Sequence, residues 1–152
     1  MAKTHEISGR CHCGAIRWQM NSPVAPEGMP IWVCGCSFCL KHGVRYSSWS
    51  EAELLLWAVD SDQVAHYAFG HGTADFVFCA RCGVVIAALM ADADGTTGVV
   101  NLNSADASER FTRPPNHLNF ESESGVERRT RRRKFWIGSV DWVDQASIIM
   151  KP

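Results

Sequence analysis

Hydrophobic positions along the 152-residue chain fall in short runs separated by turn residues, and one run alternates in steps of two. Ile16, Trp18 and Met20 alternate with Arg17 and Gln19, so residues 7–20 read as a turn leading into a half-buried strand. Asn21–Pro30 carries three prolines and a glycine and reads as a loop, after which Ile31, Trp32 and Val33 form a short apolar strand entering Cys34. Cys34–Gly43 suits a compact or short helical turn, and Val44–Trp49 another strand. Ser50 and Glu53 have capping-box spacing ahead of Leu54, Leu55, Leu56 and Trp57, which favours a short helix, although the run would also serve as a buried strand. Val64–Phe69 and Asp75–Phe78 read as strands joined through Gly70-His71-Gly72. Val84–Met90, apolar throughout, suits a central strand, with Ala91–Gly98 a turn and Val99–Leu102 a further strand. Ser104–Glu127 is polar, contains Pro114-Pro115 and reads mostly as loop; Phe135–Val143 would be a last strand or an ordered tail. The expected fold is therefore mostly β with short helical turns.

Composition adds limits. Length favours one domain spanning 1–152, with 104–152 a less certain C-terminal extension. Hydrophobic residues make up 46% and charged residues 20%, and the formal charge of −1 offers no general field for nucleic acid or membrane. No stretch approaches the roughly 20 apolar residues of a membrane helix, and the N-terminal residues lack the apolar core of a secretory signal. A cytoplasmic location is the expectation. In that reducing compartment seven cysteines, an odd number, point to metal binding or redox chemistry and away from disulfides.

Those cysteines fall in three clusters: Cys11-His12-Cys13-Gly14, Cys34-Gly35-Cys36-Ser37-Phe38-Cys39 and Cys79-Ala80-Arg81-Cys82-Gly83. Close spacing lets one turn aim two sulfurs at an ion, and a following glycine lets the backbone fold back so that amides reach the sulfurs. Seven ligands divide as four plus three. A structural zinc is closed by four protein ligands, whereas a catalytic zinc keeps three and an open position. The middle cluster could hold one ion alone, and the first and third would meet to hold another. Alternatively both ions are structural and a histidine (His42, His12, His71 or His117) closes the second site. An iron–sulfur cluster fits less well, because the spacings differ from ferredoxin runs, and a thioredoxin-like Cys79–Cys82 lacks its βαβ context.

The segments GRCHCGAIRW (9–18), VCGCSFCLKHG (33–43) and FCARCGVVI (78–86) resemble, in order, spacing and separation, the family of glutathione-dependent formaldehyde-activating enzymes, which includes the centromere-protein-V relatives. The resemblance covers roughly the first 90 residues. It implies a zinc-stapled β-tent fold, a structural zinc on Cys11, Cys13, Cys79 and Cys82, and a second, catalytic zinc on Cys34, Cys36 and Cys39. Family members commonly carry histidine between the first two cysteines of the middle motif; here Gly35 stands there. The implied activity is that of a carbon–sulfur lyase of the S-(hydroxymethyl)glutathione synthase type. A thiol such as glutathione would take the open zinc position, lose its proton and attack formaldehyde. The alternative is a non-catalytic zinc protein acting as a thiol carrier or interaction module.

Glutathione carboxylates would need cationic partners, for which Arg10, Lys41, Arg45 and Arg81 lie near the motifs, although each is by default a solvated surface charge. The basic run Arg128, Arg129, Arg131, Arg132, Arg133 and Lys134 reads as an exposed loop balanced by Glu121, Glu123 and Glu127, and nucleic-acid binding is not expected of it. Of the six tryptophans, Trp32 would line a pocket if the strand entering Cys34 points it toward the metal. An oligomer is compatible with everything above.

Overall fold

The computed structural model describes residues 3–145. Along the chain it places strands β1 (His5–Arg10), β2 (Ile16–Ser22) and β3 (Trp32–Cys34), helix α1 (Ser37–His42), then β4 (Tyr46–Ser47), β5 (Glu53–Ala58), β6 (Val64–Tyr67), β7 (Asp75–Cys79), β8 (Val85–Asp92), β9 (Gly95–Asn101) and β10 (Asn116–Leu118). Helix α2 (Gly125–Phe135) and β11 (Ser139–Trp142) complete it. The fold is mostly β, as the patterning predicts, built from two sheets with few and short helices. Among the described residues no helix is long and apolar enough to cross a membrane.

The smaller sheet has the order β1-β2-β5-β11 and the larger β10-β3-β4-β9-β8-β7-β6. The period-2 pattern of Ile16, Trp18 and Met20 fixes which face of β2 is inward, and all three side chains are fully buried. The close fit of this layer is set by Gly9, where a β-carbon would collide with the Trp18 ring and the Ser104 carbonyl. Trp18 also donates its indole N–H to Ser104 Oγ at 3.0 Å.

Three readings of the sequence require correction. Leu54–Trp57 is strand, not helix: β5 lies between β2 and β11, with Leu54 opposite Met20 and Leu56 opposite Trp18. These apolar cross-strand pairs outweigh the local capping signal at Ser50 and Glu53. The turn expected before β2 is preceded by a full strand, β1, paired to it along its length. The basic run, read as loop, is the greater part of α2, whose start is a capping box in which Ser124 and Glu127 satisfy each other's backbone amides.

Strand β8 is buried from Val85 to Met90, and with β9 it separates two apolar cores. Val100 and Leu89 belong to the core shared with β2 and β5, while Val99, Ala88 and Met90 face a second one containing Tyr46 and Trp136. Successive side chains of a strand point to opposite faces, so one pair of strands serves both cores. Cys11 and Cys79 sit in the first core and Cys39 in the second.

Candidate functional site

The first and third cysteine motifs adopt the same local form. Cys11 N–H donates to the Ile16 carbonyl at 3.0 Å and Cys79 N–H to the Val84 carbonyl at 3.0 Å, closing two tight loops at the ends of β1 and β7. Gly14 and Gly83 follow the second cysteine of each loop with φ of 82° and 78°, a region that L side chains avoid. The loops bring the sulfurs of Cys11, Cys13, Cys79 and Cys82 within 4.8 Å of one another. Backbone amides point at them, from Ile16 to the Cys11 sulfur at 3.3 Å and from Cys82 to the Cys79 sulfur at 3.5 Å. Burial pushes the Cys79 thiol up to about 11. Burial also acts to raise Cys82, but amide bonds at Cys13 and Val84 and the neighbouring sulfurs outweigh it and bring it to about 6. The Cys13 thiol is lowered chiefly by the Ala15 amide.

The middle motif is built differently. Cys34 ends β3, Cys36 is the N-cap of α1 with its sulfur accepting from the Cys39 amide at 3.4 Å, and Cys39 lies in the first turn of that helix. Gly43, with φ 63°, closes α1 and returns the chain to β4. The three sulfurs lie within 4.8 Å of one another. Cys39 is buried and shares a 3.7 Å contact with the Tyr46 hydroxyl. Hydrogen bonding from Cys39 is the largest cause lowering the Cys34 thiol to about 5, helped by the Cys36 amide and the positive charge of Arg131 and opposed by burial. The same bond, together with burial, drives Cys39 far up, and burial does likewise to the Tyr46 hydroxyl. The cluster therefore divides its proton load unevenly, as closely packed thiols that share hydrogen bonds do.

All three cysteines open onto a cavity of about 520 Å³. Trp32, Tyr46, Phe76 and Trp136 give it apolar walls, so Trp32 does line the pocket as its position two residues before Cys34 suggests. The histidines weighed as a fourth ligand lie elsewhere in the arrangement. His42 packs on the Phe38 ring at 4.5 Å between centroids, His12 and His117 are exposed, and His71 lines the cavity without joining the three sulfurs. Among the described residues no histidine or carboxylate completes the group. Gly35 donates its N–H to the Leu118 carbonyl at 2.8 Å, tying the motif to β10, and a β-carbon there would lie 3.3 Å from that oxygen.

None of the four cations near the motifs is part of the cavity lining. Arg81 pairs with Asp60 at 2.7 Å, Arg45 donates to Asn103 at 2.9 Å, and Arg10 and Lys41 are exposed. The lining cations are Arg128, Arg131 and Arg132 of α2. The sequence signal for them was the Ser124/Glu127 capping box, which marks a helix start and so assigns faces to the run that follows.

Two sheets carrying one group of four cysteines and one of three, each compact enough to hold a soft metal ion, define a β protein with two candidate zinc sites. Residues 6–122 match the family model described as "Glutathione-dependent formaldehyde-activating enzyme", and the chain belongs to that family. Its fold is similar to the crystal structure of a Rhodobacter sphaeroides protein, at 22% identity and a TM-score of 0.51, covering 73% of this chain and 99% of that one.

Proposed function

We propose that the protein is a zinc enzyme that adds the sulfur of glutathione, or of another small thiol, to formaldehyde at Cys34, Cys36 and Cys39. The observation that supports this is the placement of three converging sulfurs, without a fourth ligand among the described residues, in the wall of a partly open, largely apolar cavity. Three thiolates are a soft donor set suited to zinc, and the amide bond to Cys36 offsets part of their charge. Zinc bound there would supply the positive charge that keeps a substrate thiol deprotonated near neutral pH. Cys11, Cys13, Cys79 and Cys82 would hold a second, structural ion.

The chain's own contribution is positioning and an apolar surround. Tyr46 steadies Cys39 through its hydroxyl, and the Arg131 charge favours the Cys34 thiolate. The aromatic walls would reduce the adduct's contact with bulk water, which strengthens charge interactions within the cavity. In the reaction a sulfur–carbon bond forms, the carbonyl π bond breaks, and the thiol proton ends on the new hydroxyl, so no oxidant or reductant is needed. Metal quantification with calorimetric titration of glutathione and an assay of formaldehyde consumption tests this. Two zinc ions per chain, glutathione binding and accelerated consumption are the expected results. A single zinc ion, or binding without any acceleration, would leave only the thiol-carrier alternative or less.

A further inference from the structure

Helix α2 lies beyond residues 6–122, the part matched to the family. Its residues 128, 131, 132 and 135 follow the spacing i, i+3, i+4, i+7, which on a helix is one face, and all four line the cavity. A globular helix normally places apolar side chains on such an inward stripe. Here three of the four are arginine, an arrangement that costs stability unless the charges meet a partner.

The three are not equivalent. Arg131 is satisfied: it pairs with Glu123 at 3.0 Å and stacks over the Phe120 ring at 3.5 Å. Arg132 is only 6% exposed, and no carboxylate of the described residues pairs with it. Its Nη1 donates to Thr73 Oγ1 at 2.7 Å and its guanidinium lies 4.8 Å from the Trp136 ring, while its Nε is buried without a partner. Burial lowers its pKa to about 10, so it stays charged at neutral pH. Arg128 gives one bond to the Phe120 carbonyl at 2.7 Å, and its Nε is likewise buried and unpartnered. Glu121 also lines the cavity, but it is exposed and bonds to neither. On the outer side, Arg133 is occupied by Asp92 at 2.8 Å. Two arginines, Arg132 buried and Arg128 half-buried, thus line the cavity that the three cysteines line, each with an Nε that no described acceptor meets.

We propose that Arg128 and Arg132 form an oxyanion subsite that holds a carboxylate of the substrate thiol while its sulfur reaches Cys34, Cys36 and Cys39. This deepens, and rests on, the thiol reading above: the substrate class is a small thiol bearing a carboxylate, with α2 as the element that selects it. Guanidinium groups suit carboxylates because two parallel N–H donors match two oxygens. The surrounding aromatic carbon raises the strength of that contact and leaves little polar surface for an uncharged thiol.

The test compares 3-mercaptopropionate with 2-mercaptoethanol, thiols of similar size that differ in the carboxylate. S-methylglutathione, which has carboxylates and no thiol, and inorganic phosphate serve as further probes. Titrations use the zinc-loaded protein and the Arg132→Gln and Arg128→Gln variants, with zinc content and thermal melting as folding controls. Arg128 is less buried, so R128Q carries the test if R132Q fails to fold. Wild type should bind the carboxylated thiol about 10- to 100-fold more tightly than its neutral analogue, the range for a hydrogen bond to a charged group. Each variant should lose most of that preference while binding 2-mercaptoethanol as before. Equal affinities in wild type overturn the subsite. An equal weakening of both thiols in the variants also overturns it, since the arginines would then only balance the cysteine charge. Phosphate displacing S-methylglutathione more strongly than succinate does would overturn the choice of carboxylate. S-methylglutathione binding that the variants lose, in a protein that does not accelerate formaldehyde consumption, upholds the subsite and sinks the thiol-addition reading.

Discussion

The two cysteine centres are made from the same ligand atom and differ in nearly everything around it. The four-cysteine group joins residue 11 to residue 82, draws two ligands from the core between the sheets, and receives amide hydrogen bonds in both of its loops. The three-cysteine group spans six residues, Cys34 to Cys39, and sits in the other core beside a cavity. Closing a long loop removes many conformations from the unfolded chain, whereas closing a short one removes few. The difference teaches that sulfur count and spacing mark a candidate metal site, while loop span and what the sulfurs face separate one suited to holding the fold from one suited to chemistry.

The strongest way to break this comparison is to remove a ligand from the closed group. Cys79→Ser should abolish stable folding. A structural zinc contributes apparent free energy on the order of 10 kcal/mol, comparable with the roughly 5–15 kcal/mol that separates folded from unfolded domains. Thermal melting of purified protein checks this; a variant that melts like wild type would show that the four-cysteine group does not hold the fold.

Removing a ligand from the other group should have the opposite profile. Cys36→Ser should leave the melting temperature within a few degrees, since only a six-residue span is tied there. Formaldehyde consumption should fall by at least the roughly 10- to 100-fold lost when even outer partners of a catalytic metal are changed. Unchanged consumption in folded C36S would remove the proposed role of this centre. The asymmetry should also appear without mutation. Under increasing chelator, the three-cysteine centre should release its metal first, with activity falling before the fold melts, because only three ligands converge there among the described residues. Loss of fold and activity together would make the centres equivalent.

How much of this was legible in the sequence depended on how local the cause was. The inward face of β2 followed from Ile16, Trp18 and Met20, and the three cysteine motifs followed from spacing, since a tight turn is a local object. Strand β5 was obscured because Ser50 and Glu53 carry a helix-start signal, and only its neighbours β2 and β11 decide the matter. Helix α2 was hidden for the opposite reason. Its cavity-lining stripe is mostly arginine, so no apolar period announces it, and the cations beside the cysteine motifs, which the sequence makes conspicuous, lie outside the lining. The alternation of polar and apolar residues reports burial in a core, and it is silent where a helix turns charged side chains to a cavity.

A last and smaller contrast lies in the glycines that shape the two centres. Gly83 closes the loop after Cys82 with φ 78°, and Gly43 closes α1 after the Cys39 turn with φ 63°. A β-carbon at either position meets nothing within 4 Å, so the cost of alanine is conformational alone. It should be about 1–2 kcal/mol at each, or a few degrees of melting temperature for a chain of this length. Where they should part is in the metal. Gly83→Ala strains a loop whose sulfurs are pinned from both sheets, so it should ease zinc loss from the closed group, read as a lower chelator midpoint for unfolding. Gly43→Ala acts beyond the last sulfur and should leave that midpoint shifted only by its own stability cost. Equal chelator midpoints in the two variants would mean that the backbone turn after Cys82 shapes the fold but not the ligand geometry.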